Sequence, residues 1–229
     1  MKGFIIRILG HEFSTKLAKD AYESCIKFGI DACYFDAIVP KTLNKFFSEY
    51  DVKMSEEFMI KKATELATQA CFASHYCLWQ KCVDINEKVL ILEHDGLLLR
   101  NIDDIIDQIQ DVCHLDPSRP YRSNYNEILS KEHPTGVKDF LNSNKWTSDR
   151  EFTGEHFAGC YAYIISPSGS KKIIDFAKKF GAWEADRLVG KNVLNLQITN
   201  GSYARLHPFF KSKDYIRKYS TRTNPDFIY

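Results

Sequence analysis

The chain has 229 residues, with 31 Lys and Arg against 30 Asp and Glu, for a formal charge of +1. That length supports one sizeable α/β domain, and the near-neutral balance excludes a protein that coats nucleic acid by charge alone. No apolar run reaches the eighteen or so residues of a membrane span. Arg7 interrupts the apolar start too early for a secretory leader, and the seven cysteines include no Cys-x-x-Cys pair. A cytosolic chain without a disulfide framework or structural zinc is therefore expected.

Residues 4–9 form a mostly apolar run, predicting a strand covered on both faces. Ser14 is the expected N-cap of a helix whose Leu17, Ala18, Ala21, Cys25 and Phe28 recur at helical spacing until Gly29. Residues 32–35 read as a second strand, and this βαβ opening predicts a right-handed, largely parallel sheet. There is no Gly-x-Gly-x-x-Gly, so a dinucleotide site has no support. Residues 42–85 are helical in pattern and carry Ser74 and His75 near their end. A lone Ser-His pair on a helix is more often a cap or a satisfied core histidine than a nucleophile, and no triad is implied.

Residues 88–92, Lys-Val-Leu-Ile-Leu, predict a buried strand that delivers Glu93 and Asp95 where it stops. Carboxylates at the carboxyl end of such a strand lie where open α/β sheets bind ligands. Alternation puts Glu93 and Asp95 on one face and His94 on the other. Two hard oxygen ligands there suit Mg²⁺ or Mn²⁺ held with a substrate phosphate; for an isolated pair, two solvated acids opening a loop is the commoner reading. Asn101 is expected to cap a short helix over residues 101–112, with Asp103, Asp104, Asp107 and Asp111 as its solvated face.

From 115 to 153 periodicity is lost among Pro117, Pro120, Pro134 and Gly136, and a long irregular region within a domain is usually a functional lid. Tyr125 and Trp146 there are candidates to stack on a sugar or base, or to anchor the region to the core. Residues 160–165 return to an apolar strand, Ser166 caps the next helix with Pro167 at its first position, and Gly181 ends it after Phe180. Glu184 and Asp186 open a short helix over 185–191. Residues 194–198 and 203–206, joined by Asn200-Gly201, read as a hairpin. The tail interleaves Lys211, Lys213, Arg217, Lys218 and Arg222 with Phe209, Phe210, Tyr215, Tyr219 and Phe227. Such a strip binds polyanions or clasps its own domain with cations over a diphosphate, the reading favoured here.

Two segments carry a resemblance. Cys71-Phe72-Ala73-Ser74-His75, Leu78-Trp79 and Ile91-Leu92-Glu93-His94-Asp95 resemble the Cys-x-x-Ser-His-x-x-Leu-Trp and Ile-Leu-Glu-Asp-Asp segments of the family 25 glycosyltransferases, which include lipooligosaccharide and collagen-type galactosyltransferases. The run from Gly159 to Pro167 resembles the family's Gly-x-x-Ala-Tyr-Ile-Ile-Ser segment, and Asp186 falls where the family carries an Asp shortly after it. His94 departs from the pattern by replacing the middle acid.

The resemblance implies a single GT-A-like α/β domain with a mixed, mainly parallel sheet flanked by helices. Residues 1–112 would be its nucleotide-sugar half, 113–153 a lid, 154–206 the acceptor and catalytic half, and 207–229 the basic tail. It implies an inverting glycosyltransferase using a nucleotide-sugar, most readily UDP-linked, with Ser74, His75 and Glu93 beside that donor. Asp95 and Glu93 would hold Mn²⁺ or Mg²⁺, and Asp186 would be the general base with Glu184 in reserve. The acceptor it suggests is an envelope oligosaccharide. Two alternatives stand beside it: glycosylation of a hydroxylated base in DNA, motivated by the tail, and a non-catalytic sugar- or nucleotide-binding module, motivated by His94.

Overall fold

The chain opens with β1 (Lys2–Arg7), whose Phe4, Ile5 and Ile6 are buried. After α1 (Glu12–Lys27), β2 (Asp31–Asp36) returns parallel to β1, pairing Lys2 with Asp31 through Arg7 with Asp36. A computed structural model describes residues 1–55, 66–117, 135–139, 156, 159–190 and 192–211. The expected tail beyond 211, Tyr125, Trp146 and most of the expected lid lie outside the described residues. A 3₁₀ turn (Pro40–Thr42) leads into α2 (Leu43–Tyr50), and α3 (Leu66–Ile85) feeds β3 (Val89–Glu93), parallel to β1.

Next come β4 (Gly96–Leu98), α4 (Asp103–Ile106), β5 (Val112–His114) and β6 (Val137–Asp139). They are followed by β7 (Ala162–Ile165), α5 (Pro167–Phe180) and α6 (Ala185–Leu188). The described chain finishes with β8 (Leu196–Thr199), β9 (Ala204–Leu206) and a 3₁₀ turn (Pro208–Lys211). The main sheet has seven strands in the order β2-β1-β3-β7-β5-β8-β6, with β7 and β6 running against the other five. This is the mixed, mainly parallel α/β domain expected from the sequence.

β3 sits inside that sheet with Val89, Leu90, Ile91 and Leu92 all fully buried. Its alternation divides the core. Val89 and Ile91 join the cluster under α3, α5 and α6, which holds Phe72, Tyr76 and Trp79, while Leu90 and Leu92 join the opposite cluster under α1 and α4. Helices thus cover both faces, which is why the strand reads as a continuous apolar run. α3 is apolar on almost every side because it is wedged between α2, α5 and the sheet.

Several expectations are corrected. α1 starts earlier than Ser14, because His11 is the cap: its Nδ1 accepts from the Ser14 N–H at 3.0 Å, and the Ser14 hydroxyl instead accepts from the Ile8 N–H at 2.9 Å. The acidic helix is only α4, and Val112 already belongs to a strand. Asp111 is not on a solvated face; its side chain is buried and accepts from Lys172 Nζ at 2.6 Å, the Asn195 N–H at 2.9 Å and Ser168 Oγ at 3.1 Å. Burial opposes its charge, but these donors prevail and hold its pKa below the ordinary value. The region expected to be irregular contains the edge strand β6.

The predicted C-terminal hairpin also does not form. β8 lies in the main sheet between β5 and β6, whereas β9 pairs with β4 in a separate ribbon. A two-residue Asn-Gly hairpin turn needs positive φ at both residues, and neither Asn200 nor Gly201 has it. The connection instead crosses over, with the N–H groups of Tyr203 and Ala204 both donating to the Leu115 carbonyl.

Gly169, in the first turn of α5, lies against the Asp111 backbone. A Cβ there would stand 2.6 Å from the Asp111 carbonyl oxygen. Alanine normally gains about 1 kcal/mol over glycine within a helix, but overpacking against rigid backbone costs about 1–3 kcal/mol. Gly169→Ala is therefore expected to lower the urea midpoint; an unchanged or higher midpoint would mean that α5 can shift freely off Asp111.

Candidate active site

The carboxyl ends of β1, β3 and β5 and the amino end of β7 meet at one edge of the sheet. Glu93 is the last residue of β3, and His94 and Asp95 form the turn into β4. Strand alternation therefore stops at Glu93 and does not itself place Asp95. The turn is tight because Gly96 lies against the Tyr161 carbonyl, which leaves no room for a Cβ. Asp95 is buried, its carbonyl accepts from the His207 N–H at 2.6 Å, and its Oδ1 has no hydrogen-bond partner among the described residues. Burial first, then the charge of Glu93, pushes its carboxyl up to about 8. Burial pushes the His94 imidazole down to about 4 against the opposing charge of Glu93, with His11 adding to the depression.

Ser74 and His75 are both buried. The Ser74 hydroxyl donates to the Ala70 carbonyl at 2.8 Å and accepts from the Ile38 N–H at 2.9 Å, tying α3 to the loop after β2. At the start of that loop Arg7 pairs with Asp36 at 2.7 Å. His75 Nδ1 lies 2.8 Å from the Tyr163 hydroxyl and its Nε2 lies 3.3 Å from Glu93 Oε1. Trp79 Nε1–H donates to the same Tyr163 oxygen at 2.9 Å. A tryptophan N–H only donates, so with the Tyr163 O–H donating to Nδ1, the imidazole carries its proton on Nε2 and donates it to Glu93. The hydrogen bonds of Ser74 and His75 are thus spent within the protein.

Asp186 lies in the first turn of α6, and its Oδ2 accepts from the Gly159 N–H at 3.1 Å. The buried Cys160 thiol next to it is pushed up first by burial, then by the charges of Asp186, Glu93 and Cys71. The two motif blocks meet because β7 pairs with β3, Ala162 opposite Leu92, and the Tyr163 hydroxyl reaches His75. Glu184 is different. It is nearly buried, precedes α6 as its N-cap residue, and forms an ion pair with Arg187.

Sequence reasoning missed His114 and Asp116. The Asp116 N–H donates to His114 Nδ1 at 3.3 Å, which leaves Nε2–H to donate to the Gly159 carbonyl at 3.2 Å. Gly159 is thereby held by His114 at its carbonyl and by Asp186 at its N–H. Asp116 accepts from the Tyr161 hydroxyl at 2.5 Å and the Ser202 hydroxyl at 3.0 Å. The signal was available: Val112-Cys113-His114-Leu115-Asp116 is a short apolar strand ending in polar groups, as at Glu93. Assigning residues 101–112 to a helix hid it. His207, just after β9, was also missed; its Nε2 meets Asp20 at 3.1 Å while its Nδ1 accepts from the Phe209 N–H.

These shifts predict how stability varies with pH. Burial depresses His94 and also His114, the latter against the raising charge of Asp116. As pH falls below the ordinary 6.5, the unfolded chain takes up protons that the folded one refuses, so stability drops toward pH 4. Asp95 works the other way: its contribution is full below its ordinary 3.8 and is lost as pH rises through about 8. His11 and His207 are depressed by burial as well, so four histidines outweigh one carboxylate below 6.5, and the carboxylate dominates from there to pH 8. Urea midpoints of the metal-free protein should peak near about pH 6.5. A midpoint still climbing at pH 8 would mean that Asp95 is ionised in the folded state.

The sequence model of glycosyltransferase family 25 (LPS biosynthesis protein) matches residues 11–189, a span containing Glu93, Asp95, His114, Gly159 and Asp186. The chain belongs to glycosyltransferase family 25. No curated protein sequence matches this family 25 chain. Among solved structures, it is similar to mouse xyloside xylosyltransferase 1 in its apo form, with 9% identity, a TM-score of 0.38, and coverage of 82% of this chain and 79% of that one. It is also similar to a mutant of Drosophila beta-1,4-galactosyltransferase 7 in complex with manganese, UDP-Gal and xylobiose, with 10% identity, a TM-score of 0.39, and coverage of 95% and 74%. Family membership makes the protein a glycosyltransferase. No helix among the described residues is long and apolar enough to cross a membrane.

Proposed function

We propose that this family 25 glycosyltransferase moves a sugar from a UDP-linked donor to a hydroxyl of an envelope oligosaccharide in the cytosol, with Mn²⁺ or Mg²⁺ and with inversion at the anomeric carbon. The observation that carries the reading is the buried, unpartnered Oδ1 of Asp95 beside the charge of Glu93. A buried carboxylate with one oxygen to which no described residue donates, next to a second acid, is strongly disfavoured, and a bound cation is the natural relief. The residues present therefore fit a divalent ion: Asp95 and Glu93 would hold it through hard oxygens, and it would supply Lewis-acid neutralisation of the departing diphosphate.

The other roles belong to the chain itself. Asp186 takes the proton of the acceptor hydroxyl, since an alcohol is a poor nucleophile at neutral pH. It is preferred over Glu184 because Glu184 is already engaged in an ion pair with Arg187. His75 orients the Glu93 carboxylate, and Ser74 sets the loop after β2; both act on the bound nucleotide-sugar through those intermediaries. The non-catalytic binder keeps one supporting observation, a neutral His94 imidazole where the family carries an acid. The part of the tail beyond Lys211, which carries most of the cations that motivated DNA as acceptor, lies outside the described residues.

The test is to incubate the protein with a panel of UDP-sugars, with and without Mn²⁺, and to measure UDP release and transfer to oligosaccharide hydroxyls. Metal-stimulated turnover of one donor is expected. Tight UDP binding by calorimetry that ignores Mn²⁺, with no turnover of any donor, would favour the binder.

A further inference from the structure

Cys71 and His75 are four residues apart on α3, so their side chains rise from the same helix face. Glu93 meets that face from the end of β3. The Cys71 thiol, His75 Nε2 and a Glu93 carboxylate oxygen all lie within 4.8 Å of one another. One sulfur, one imidazole nitrogen and one carboxylate oxygen form a borderline-soft set, the kind that selects Zn²⁺ over Mg²⁺ or Mn²⁺.

We propose that Cys71, His75 and Glu93 form a Zn²⁺ site, distinct in ligand chemistry from the oxygen pair Glu93 and Asp95, and that its occupancy withdraws Glu93 from sugar transfer. The separations support it. With bonds of about 2.0–2.1 Å, two tetrahedral ligands of nitrogen and oxygen stand about 3.3 Å apart, and His75 Nε2 and Glu93 Oε1 are 3.3 Å apart already. A sulfur at about 2.3 Å belongs about 3.6 Å from either, which asks only the exposed Cys71 side chain to close in. The three ligands leave a fourth position open to water.

The surroundings of His75 also suit a metal ligand. Such a histidine donates its other ring N–H to a nearby oxygen. Here Nδ1 faces the Tyr163 hydroxyl at 2.8 Å, and that oxygen has two lone pairs, one already used by Trp79 Nε1–H. On binding, the imidazole proton moves from Nε2 to Nδ1 and is accepted by the second lone pair, while the Tyr163 O–H turns away. Cys71 loses its proton to solvent. No electron is transferred. The absence of Cys-x-x-Cys hid the site from sequence, because its ligands are spaced for a helix face and a strand end.

The metal-binding part stands without the transferase reading; the withdrawal of Glu93 rests on it. Metal-free protein is titrated with Co²⁺ and then with Zn²⁺. A thiolate-to-cobalt charge-transfer band that Zn²⁺ abolishes is expected, absent from Cys71→Ala. Zn²⁺ affinity should fall on the order of 100-fold in Cys71→Ala and about tenfold in Tyr163→Phe. Since Cys71 is exposed on a helix, the alanine variant should fold and, without Zn²⁺, transfer at the wild-type rate. Wild-type transfer should be inhibited by Zn²⁺ and Cys71→Ala should resist. No band in the wild type, or a band surviving in Cys71→Ala, overturns the site. A band accompanied by Zn²⁺-insensitive transfer upholds the site and overturns the role of Glu93 in transfer.

Discussion

Asp186→Asn is expected to lose about 10²–10⁴-fold of the transfer rate while binding UDP in the presence of Mn²⁺ as the wild type does. The amide keeps the size of the carboxylate, and its oxygen can still accept from the Gly159 N–H, now met at 3.1 Å. What it lacks is basicity. An acceptor hydroxyl attacking an anomeric carbon must shed its proton as the new bond forms, and without a base nearby that proton has only water to go to. Because Glu184 is bound to Arg187 in an ion pair, it should not take over. Single-turnover transfer and UDP calorimetry on the same preparation separate the outcomes. A variant transferring at the wild-type rate would reduce Asp186 to a prop for Gly159 and move the search for a base to other carboxylates.

The second large effect is expected at Asp95. Asp95→Asn should abolish the response to Mn²⁺, with a loss of roughly 10²–10³-fold in transfer. The same substitution should stabilise the metal-free fold at pH 8 by about 1–2 kcal/mol. The two signs have one cause. The wild-type carboxyl is buried, has an oxygen without a partner among the described residues, and is driven up to about 8 by burial and by Glu93. Ionising it in the folded protein costs free energy that a neutral amide does not require. A residue kept for function at the expense of stability should behave this way. Paired measurements of urea midpoints at pH 6 and pH 8 and of Mn²⁺-dependent UDP release would check it; an Asn variant that is less stable at pH 8, with metal response intact, would make Asp95 a structural residue.

How far these features were legible in the sequence depended on whether they were local. The strand ending at Glu93, the Ser166 cap with Pro167 behind it and the Gly181 stop follow from short-range rules, and the structure has all three. The start of α1 escaped because an imidazole nitrogen did the work expected of a hydroxyl. Asp111 and Asp116 escaped for another reason. An acid in a polar stretch reads as solvated, and only tertiary structure brings Lys172 and the Asn195 N–H to one, or Tyr161 and Ser202 to the other. The hairpin failed because Asn-Gly is a statistical signal for a turn, and here the strands on either side had better partners in different sheets. In the candidate site, Glu93 and Asp186 came from motif spacing, whereas the His114 bridge to Gly159 needed the knowledge that residues 112–114 form a strand.

The ribbon of β4 and β9 fixes Asp95 from a distance along the chain: the N–H that holds its carbonyl belongs to His207. During synthesis the turn at 94–95 leaves the ribosome roughly a hundred residues before its clasp does. At about 5–20 residues per second that is an interval of several seconds. The nascent protein early in that interval has β1, β2 and β3 with α1 and α3, but it lacks β7, α5 and α6 and its cation pocket is unfinished. The central sheet, which needs β7 and β8, and the His207 clasp on Asp95 are therefore completed almost together, so fragments ending before β8 would lack both.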